Sequence, residues 1–177
     1  LLTPIVKAWP SDYALEANSI AIQVYGGAGY TRDFPVERLW RENRINAIHE
    51  GTNGIQAMDL LGRKLISDKG RLFALLTTRV EKTLASAHQI EALKPLADVL
   101  QIRWVIFLSA LKQVATVFEN DAELVLANAY LLLDAMGHAV VAWLWLDQAV
   151  CAEGLLDQAD LSESRRNLLK GKLVVAQ

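Results

Sequence analysis

Apolar residues recur at intervals of three and four positions along most of this chain, a spacing that is typical of amphipathic α-helices. We expect the first helix to open at Pro10, with Ser11 or Asp12 as its N-cap, and to end at Gly26. Small apolar positions in this helix indicate close packing against a neighbouring helix. They are Ala14, Ala17, Ile20, Ala21 and Val24.

Two further helices are predicted in the first third of the chain. The run Asp33-Phe34-Pro35 predicts the start of a short helix, because a proline in the first turn has no hydrogen bond to lose. A third helix is expected to follow residues 50–54 and to reach about Ser67. The apolar positions of these two helices are Val36, Leu39 and Trp40, then Ile55, Met58, Leu61 and Leu65.

The remaining residues, 68–177, show the pattern of a helical bundle, with a break at Pro95 and a turn and helix cap at Glu119-Asn120-Asp121. No stretch shows the alternating pattern of a β-strand. We therefore predict an all-α fold, with a first domain at residues 1–67 and an antiparallel helical bundle at 68–177. Its helices are predicted at residues 72–93, 96–118 and 122–153, followed by one that Ser162 caps and that stops at Gln177. The inward positions of the third are Ala122, Val125, Leu126, Ala129, Leu133, Met136, Val140 and Leu144.

Composition narrows the class of protein. Hydrophobic residues make up 53% of the 177 positions and charged residues 21%, which is typical of a globular chain and not of a disordered one. The net charge of −2 gives no electrostatic reason to expect nucleic acid. The single cysteine, Cys151, excludes an intramolecular disulfide, and we expect it to be a small apolar filler. Neither His88 nor His138 has a second ligand at metal spacing, and no metal site is predicted.

The most apolar region, residues 124–146, is interrupted by Asp134 and contains Asn128 and His138, so we do not expect it to cross a membrane. Asp134 and His138 are four residues apart and share a helix face, either as a structural hydrogen-bonded pair or as a proton-handling pair. The first residues lack the pattern of a secretion signal, and neither end carries a helix start or stop signal. We expect the sequence to be a fragment of a longer protein.

The strongest candidate for chemistry is Glu50, at a point where a loop becomes a helix. Thr52 or Asn53 can cap that helix, and Gly51 permits a positive φ or the close approach of another molecule. Glu50 is therefore expected at the edge of a rigid element, which suits a general base. An acidic residue that complements the helix dipole is the alternative interpretation.

Two other stretches carry candidate sites. The glycine cluster at residues 26–29 does not fit a dinucleotide-binding strand–loop–helix fingerprint, because a helix precedes it and Arg32 occupies the place of the third glycine. It is either a plain turn or a loop whose backbone N–H groups contact an anion or cofactor. On the second helix, Arg38, Arg41 and Arg44 alternate with glutamates, which predicts either a salt-bridged exposed face or an anion site.

Residues 14–65 resemble the C-terminal α-helical domain of the acyl-CoA dehydrogenases. Residues 21–39 read AIQVYGGAGYTRDFPVERL, similar to the family's A-x-Q-x-x-G-G-x-G-[YF]-x-x-[DE]-[YF]-P-V-E-[RK]-L. Residues 41–45 read RENRI, similar to R-D-A-R-I, and residues 50–56 read EGTNGIQ, which fits E-G-T-x-x-I-Q. The sequence departs from the family where His49 replaces a common tyrosine and Gly54 replaces a common Gln or Glu.

The resemblance implies a role for each of these residues. Glu50 would remove the α-proton of an acyl-CoA thioester while the β-hydride passes to FAD, and Gly51 would lie against the acyl chain. The family's base must be desolvated, with a pKa raised toward neutrality. The segment from Gln23 to Gly27 would touch FAD bound mainly to a neighbouring subunit. The segment from Thr52 to Gly54 would lie beside the cofactor at the start of the third helix. Together the implied cofactor-binding residues are Gln23, Val24, Tyr25, Gly26, Gly27, Thr52, Asn53 and Gly54.

The implied product is a trans-2-enoyl-CoA, as in fatty acid β-oxidation. Implied partners are an acyl-CoA, electron-transfer flavoprotein or a similar acceptor, and further copies in a dimer or tetramer. The bacterial cytoplasm or the mitochondrial matrix is the expected location. The helices after Ser67 look like those of long bacterial members, including very-long-chain and methylthiopropanoyl-CoA dehydrogenase-like enzymes, and are expected to be structural. This fragment alone is expected to be inactive and to bind no FAD. The alternative is a non-catalytic member that serves as an oligomerisation or nucleic-acid-associated module.

Overall fold

A computed structural model describes residues 1–156 and 160–176, and these residues form helices and turns without a β-strand, which confirms the all-α fold. The α-helices are α1 (Thr3–Tyr25), α2 (Val36–Arg44), α3 (Asn53–Met58), α4 (Arg71–Ala87), α5 (Lys94–Asn120), α6 (Ala122–Ala127), α7 (Ala129–Leu156) and α8 (Glu163–Ala176). Three short 3₁₀ helices and one π-helix complete the order, at Gly26–Tyr30, Ile45–Ala47, Glu91–Leu93 and Asp59–Ile66. The predicted stop at Gln177 lies outside the described residues.

The chain divides into two compact units. The first contains Leu1–Gly70 together with Val117–Gly137, and the second contains Arg71–Thr116 together with His138–Gln177. The segment Val117–Gly137 therefore groups with the first seventy residues, although it follows the predicted domain boundary at residue 67. The assignment of the site motifs to a domain at residues 1–67, and of a structural role to residues 68–177, stays a prediction.

The predicted start of the first helix at Pro10 is wrong. Helix α1 begins at Thr3 and contains Pro10 in its interior. Ser11 is not a cap, since its Oγ donates a hydrogen bond to the carbonyl of Ala8 at 2.8 Å. A proline inside a helix removes one backbone hydrogen bond and costs about 3 kcal/mol. Burial of one face on both sides of Pro10 offsets this cost, and that face consists of Pro4, Ile5, Ala8 and Ser11.

The face of α1 predicted to pack inward is largely exposed in this chain. Ala14, Ala17, Ile20 and Val24 all lie on the surface, with 57% of Ile20 and 79% of Val24 accessible. The helix instead contacts α2 through polar groups, where Trp40 Nε1 donates to Ser19 Oγ at 2.8 Å.

A π-helix changes which side of the third helix is buried. The predicted inward residues Ile55 and Met58 are 51% and 42% exposed. After α3 the chain continues as the π-helix Asp59–Ile66, whose wider turn shifts the phase of the side chains. The prediction is correct for Leu61 and Leu65 but wrong for Ile55 and Met58. The buried positions are Ala57, Leu60, Leu61 and Leu65.

Two long helices also differ from their predicted bounds. Helix α4 ends at Ala87, well before the predicted residue 93. The predicted continuous helix from Ala122 is broken at Asn128, whose side-chain Nδ2 donates to the carbonyl of Leu124 at 2.9 Å. Such a local side-chain bond competes with the regular backbone pattern. On α7 the residue Leu144 is 42% exposed, in contrast to its predicted inward position.

Two helix caps are confirmed. Asp121 accepts a hydrogen bond from the Leu124 backbone N–H at 2.9 Å, and Ser162 accepts one from Arg165 at 3.3 Å. Cys151 is exposed, so the expectation of a small apolar filler is wrong.

The core of the second unit contains an aromatic cluster and a set of buried polar contacts. Phe73, Trp104 and Phe107 are buried, with ring centroids 5.8–6.0 Å apart. Thr83 donates to Asp147 at 2.8 Å and accepts from Trp143 Nε1 at 2.9 Å, so this buried hydroxyl is satisfied on both sides. By length and composition, Glu91–Asn120 and Ala129–Leu156 would be able to cross a bilayer, a criterion that buried helices of globular domains also meet.

Candidate functional site

Glu50 and Gly51 form a tight turn directly before α3. Both residues have positive φ, 55° at Glu50 and 86° at Gly51. A side chain in this left-handed region costs about 1–2 kcal/mol, so Glu50 is held in a conformation that the surrounding contacts must stabilise. Gly51 avoids this cost. A Cβ added there would lie 3.2 Å from Nε2 of Gln56.

The helix that follows holds the turn from one side. Thr52 is the N-cap of α3, and its hydroxyl accepts a hydrogen bond from the Ile55 backbone N–H at 3.3 Å. The sequence left Thr52 and Asn53 open as the cap, and the structure assigns the role to Thr52. One turn later, the Gln56 side chain donates to the Glu50 carbonyl at 3.1 Å.

Asn53 connects the same turn to α1. It is 7% exposed, and its Oδ1 accepts a hydrogen bond from Nζ of Lys7 at 3.0 Å. Lys7 Nζ also donates to the Gly51 carbonyl at 2.7 Å. The amide Nδ2 donates to Ser11 Oγ and Asp12 Oδ1, both at 2.9 Å, and lies 3.3 Å from the Ala8 carbonyl. The side chain of Asn53 is thus fully engaged within the protein, and only its backbone N–H remains for a ligand at the helix start.

A pocket of about 390 Å³ opens beside the Glu50 turn. Glu50 is exposed, and among the described residues its carboxylate forms no ion pair. Arg63 on the pocket wall is paired with Asp59 at 2.6 Å. A free carboxylate at a fixed backbone position can accept a proton from a bound molecule. The pocket is lined by Thr3, Glu50, Gly51, Ile55, Gln56, Asp59, Arg63 and Lys64.

The glycine cluster forms a second candidate site at the other end of α1. Gly26 has φ 61° and ends the helix, as predicted. A Cβ added to Gly26 or Gly27 would meet no atom within 4 Å, so the backbone here is open to a ligand. Gln23, Val24 and Tyr25 are all exposed beside it. This open, polar backbone fits the cofactor contact that the resemblance implies.

Gly29 of the same cluster has a different reason to be glycine. It is buried, and a Cβ added there would lie 2.7 Å from the Cβ of Tyr25 and 2.8 Å from the Ile22 carbonyl oxygen. Real Cβ atoms do not approach so closely, so this glycine is needed for the loop to fold back onto α1. The ring of Tyr25 in turn packs on Phe34, with centroids 5.3 Å apart.

The structure does not bring the two candidate segments together. Asn53 contacts α1 at Asp12, whereas the glycine loop begins after Tyr25, at the far end of the helix. Thirteen residues at 1.5 Å each separate these points by roughly 20 Å along the helix axis. The two segments therefore lie apart within this chain.

Two of the three arginines of α2, Arg38 and Arg41, belong to an exposed, salt-bridged face. Arg38 pairs with Glu42 at 3.1 Å and Arg41 pairs with Glu37 at 3.0 Å, each with the i, i+4 spacing. Of the two interpretations that the sequence left open, the salt-bridged one fits these contacts.

Asp134 accepts a hydrogen bond from the hydroxyl of Tyr13 at 3.3 Å, which favours a structural role for this carboxylate.

Several residues of the site were missed by sequence reasoning. Lys7 and Asp12 lie on a helix that was expected to start at Pro10, and Tyr130 lies 118 positions from its partner Asp12. The Tyr130 hydroxyl donates to the second oxygen of Asp12. Partial burial, followed by this hydrogen bond, raises the pKa of Tyr130 above its ordinary value of 10.0. No local pattern could have indicated these contacts, because they depend on tertiary structure.

Comparison with known proteins gives two family matches. Residues 2–66 match the model described as acyl-CoA dehydrogenase, C-terminal domain, and residues 76–177 match the model described as acetyl-CoA dehydrogenase C-terminal like.

Similar proteins cover nearly the whole chain. A broad-specificity linear acyl-CoA dehydrogenase of Mycobacterium tuberculosis is 27% identical over 99% of this chain and 30% of its own length. A 3-methylmercaptopropionyl-CoA dehydrogenase of Ruegeria pomeroyi is 30% identical over 99% of this chain and 29% of its own length. A butyryl-CoA dehydrogenase of Syntrophomonas wolfei is 30% identical over 96% of this chain and 28% of its own length. The chain thus spans less than a third of the length of these curated relatives.

Proposed function

Because the chain belongs to the acyl-CoA dehydrogenase family, we propose that it forms the C-terminal part of a flavin-dependent enzyme that oxidises an acyl-CoA thioester to a trans-2-enoyl-CoA. The observation that carries this proposal is the position of Glu50. Its carboxylate is exposed beside a pocket, on a turn fixed by α3 and by Lys7. An acid that only complemented a helix dipole would not require the left-handed backbone found here.

In this proposal Glu50 is the general base. Its carboxylate takes the proton from the α-carbon, which must lie within hydrogen-bonding reach of an Oε atom. The backbone N–H of Glu50 donates no hydrogen bond among the described residues, so it is available to the thioester oxygen, where negative charge develops. Gly51 has no side chain and leaves room for the acyl chain against the turn.

The base also needs a dry environment. Glu50 is exposed in this chain, and exclusion of water is therefore assigned to parts of the protein that correspond to the rest of the relatives' length.

FAD is the proposed cofactor, and when bound it accepts the β-hydride of the substrate. Thr52, Gly54 and the backbone N–H of Asn53 would hold it at the start of α3, where free N–H groups favour polar or anionic atoms. Gln23, Val24, Tyr25, Gly26 and Gly27 would contact FAD through their exposed backbone and side chains. The separation of roughly 20 Å along α1 supports assigning this second segment to the FAD of a neighbouring subunit.

We therefore also propose a homo-oligomer, either a dimer or a tetramer. The exposed apolar side chains of Ile20, Val24 and Tyr25 adjoin the glycine loop and suit a subunit contact. Electron-transfer flavoprotein or a similar protein is the proposed electron acceptor. The proposed location is the bacterial cytoplasm, or the mitochondrial matrix in a eukaryote, and fatty acid β-oxidation is the proposed pathway class.

The deciding experiment measures flavin reduction in the full-length protein that carries this sequence. Acyl-CoA thioesters of increasing length are added without oxygen, and loss of flavin absorbance is followed in a stopped-flow instrument. Glu50→Gln should lower the rate at least ~10²-fold, the scale of a positioned base. Glu42→Gln is the matched control, because Glu42 is an exposed carboxylate whose ion-pair partner among the described residues is its helix neighbour Arg38. Equal rates for Glu50→Gln and the control would remove Glu50 from the mechanism.

A further inference from the structure

A continuous path of hydrogen bonds leads from the Glu50 turn to helix α7. It starts at the Gly51 carbonyl, which accepts from Lys7, and passes through Asn53 to Asp12. The path ends on α7 at Tyr130, whose hydroxyl donates to Asp12. Every residue of the path lies in the first compact unit, which contains Leu1–Gly70 and Val117–Gly137.

The turn needs such support because its backbone conformation is unfavourable by itself. Glu50 has φ 55° without being glycine, and the next residue also has positive φ. Gln56 holds the Glu50 carbonyl, but Gln56 is a neighbour in sequence and moves with the same helix start. Lys7 is the long-range partner of the turn, 44 positions away from Gly51.

We propose that Lys7 and Asn53 are positioning residues for Glu50, held in place by Asp12 and Tyr130. The proposal rests on the proposed role of Glu50 as the base. Lys7 contacts the residue directly after Glu50, and Asn53 fixes Lys7 by accepting from the same ammonium group. Asn53 also donates to Ser11 and Asp12, one turn further along the helix α1 that carries Lys7.

Charge and burial support a positioning role beyond simple docking of α3 onto α1. Docking alone requires apolar burial, and Ala8 on α1 and Ala57 on α3 are both fully buried. Lys7 is only partly buried, yet its ammonium group makes two hydrogen bonds that an apolar side chain could not replace. Without it, the Gly51 carbonyl loses its fixed partner and the left-handed turn can relax.

Tyr130 connects the segment Val117–Gly137 to the hydrogen bonds that support the Glu50 turn. Its hydroxyl occupies the Asp12 oxygen that Asn53 leaves free, so Asp12 is fixed from both sides. Residues far beyond the E-G-T motif thereby support the turn that carries the base.

The test uses Lys7→Met and Asn53→Ala in the full-length protein, with Lys94→Met and Asn46→Ala as controls. Within the part of the chain that the structure describes, the side chains of Lys94 and Asn46 bind near neighbours in sequence on the surface, Glu91 and Asn43 respectively. Flavin reduction is measured at saturating acyl-CoA, once with hydrogen and once with deuterium at the α-carbon. Melting temperature, flavin content and acyl-CoA affinity are measured in parallel.

A misplaced base should slow proton removal itself. We expect Lys7→Met and Asn53→Ala to lower the reduction rate per bound flavin about 10- to 100-fold and to raise the α-deuterium isotope effect, with substrate affinity unchanged. The controls should match the unmodified protein. Because Asn53 is buried and its variant can fail to fold, Lys7→Met is the deciding variant.

Two results would overturn the inference. In the first, Lys7→Met reduces flavin at the normal rate. In the second, its activity falls only in proportion to lost flavin or stability, with an unchanged isotope effect. Failure of the proposed function gives a different pattern, because then the unmodified protein is not reduced by acyl-CoA, or Glu50→Gln remains active.

Discussion

The ring of Trp9 on α1 lies directly against the backbone of Gly137 on α7. A Cβ added to Gly137 would be 2.1 Å from Cδ1 of this ring and 2.6 Å from Cγ. No side chain fits at this contact, because the indole ring of Trp9 is a large, rigid group that also packs on the ring of Tyr13, with centroids 4.2 Å apart. Close approach of α1 and α7 inside the first unit therefore depends on the absence of a side chain at residue 137.

We expect Gly137→Ala to destabilise this chain by about 1–3 kcal/mol, the usual cost of overpacking a well-packed contact. Gly154→Ala is the control on the same helix, since a Cβ there meets no atom within 4 Å. The control should be neutral or stabilising by up to about 1 kcal/mol, because alanine favours a helix over glycine. Urea denaturation followed by circular dichroism measures both. Equal midpoints for the two variants would contradict the contact.

Gly51→Ala tests the backbone of the candidate active-site turn. Alanine at φ 86° is strained, and its Cβ would press on the Gln56 side chain that holds Glu50. We expect a loss of about 1–2 kcal/mol in stability. In the full-length protein the variant should also reduce flavin more slowly with acyl-CoA. Gly171→Ala, where a Cβ meets open space, should not lower stability. A fully stable and active Gly51→Ala variant would show that the turn needs no glycine.

Tyr130→Phe tests the contact with Asp12 through its pH dependence. Partial burial and the Asp12 carboxylate raise the pKa of Tyr130 in the folded state above its ordinary value of 10.0. Below pH 10 the hydroxyl is protonated in both states, so its contribution to stability is fully present. As pH rises further, Tyr130 ionises first in the unfolded chain, because its pKa is lower there. The contribution of its hydroxyl to the free energy of unfolding is then lost.

The variant should therefore be less stable at pH 8 by about 0.5–1 kcal/mol, a modest figure because Tyr130 is 40% exposed. The difference between the variant and the unmodified chain should shrink as pH rises above 10. Denaturant midpoints at pH 8, 9 and 10.5 provide the measurement. A difference that stays constant across this range would rule out an ionisation linked to folding.

The chain by itself should bind no FAD and catalyse no dehydrogenation. It spans less than a third of the length of its relatives, and Glu50 is exposed to solvent in it. Purified chain is mixed with FAD and assayed by equilibrium dialysis, with the full-length protein as the positive control. Flavin absorbance that stays with the chain after dialysis would contradict this prediction.

Several features could be predicted from the amino-acid sequence because they depend on residues that are close together in the chain. Thr52, Asp121 and Ser162 were recognised as cap candidates, because a short side-chain oxygen meets the free N–H groups of the residues that directly follow it. Gly26 was recognised as a helix end for an equally local reason, its tolerance of positive φ. The all-α class followed from helical periodicity over the whole chain.

Local rules failed where packing outweighed propensity. Pro10 predicts a helix start, but burial of residues on both sides of it keeps α1 continuous. Ile55 and Met58 follow ideal helical spacing, but the π-helix after them rotates the buried face. Such phase changes depend on what the helix packs against, which a single helix does not encode.

At the site, Glu50 as the candidate base and Gly51 as the residue that permits its turn could be named from the amino-acid sequence. The residues that hold this turn, namely Lys7, Asn53, Asp12 and Tyr130, became visible only in the folded chain. This difference follows from the range of each interaction. Backbone preferences and caps act between residues a few positions apart, whereas hydrogen bonds between helices join residues that only folding brings within 3 Å.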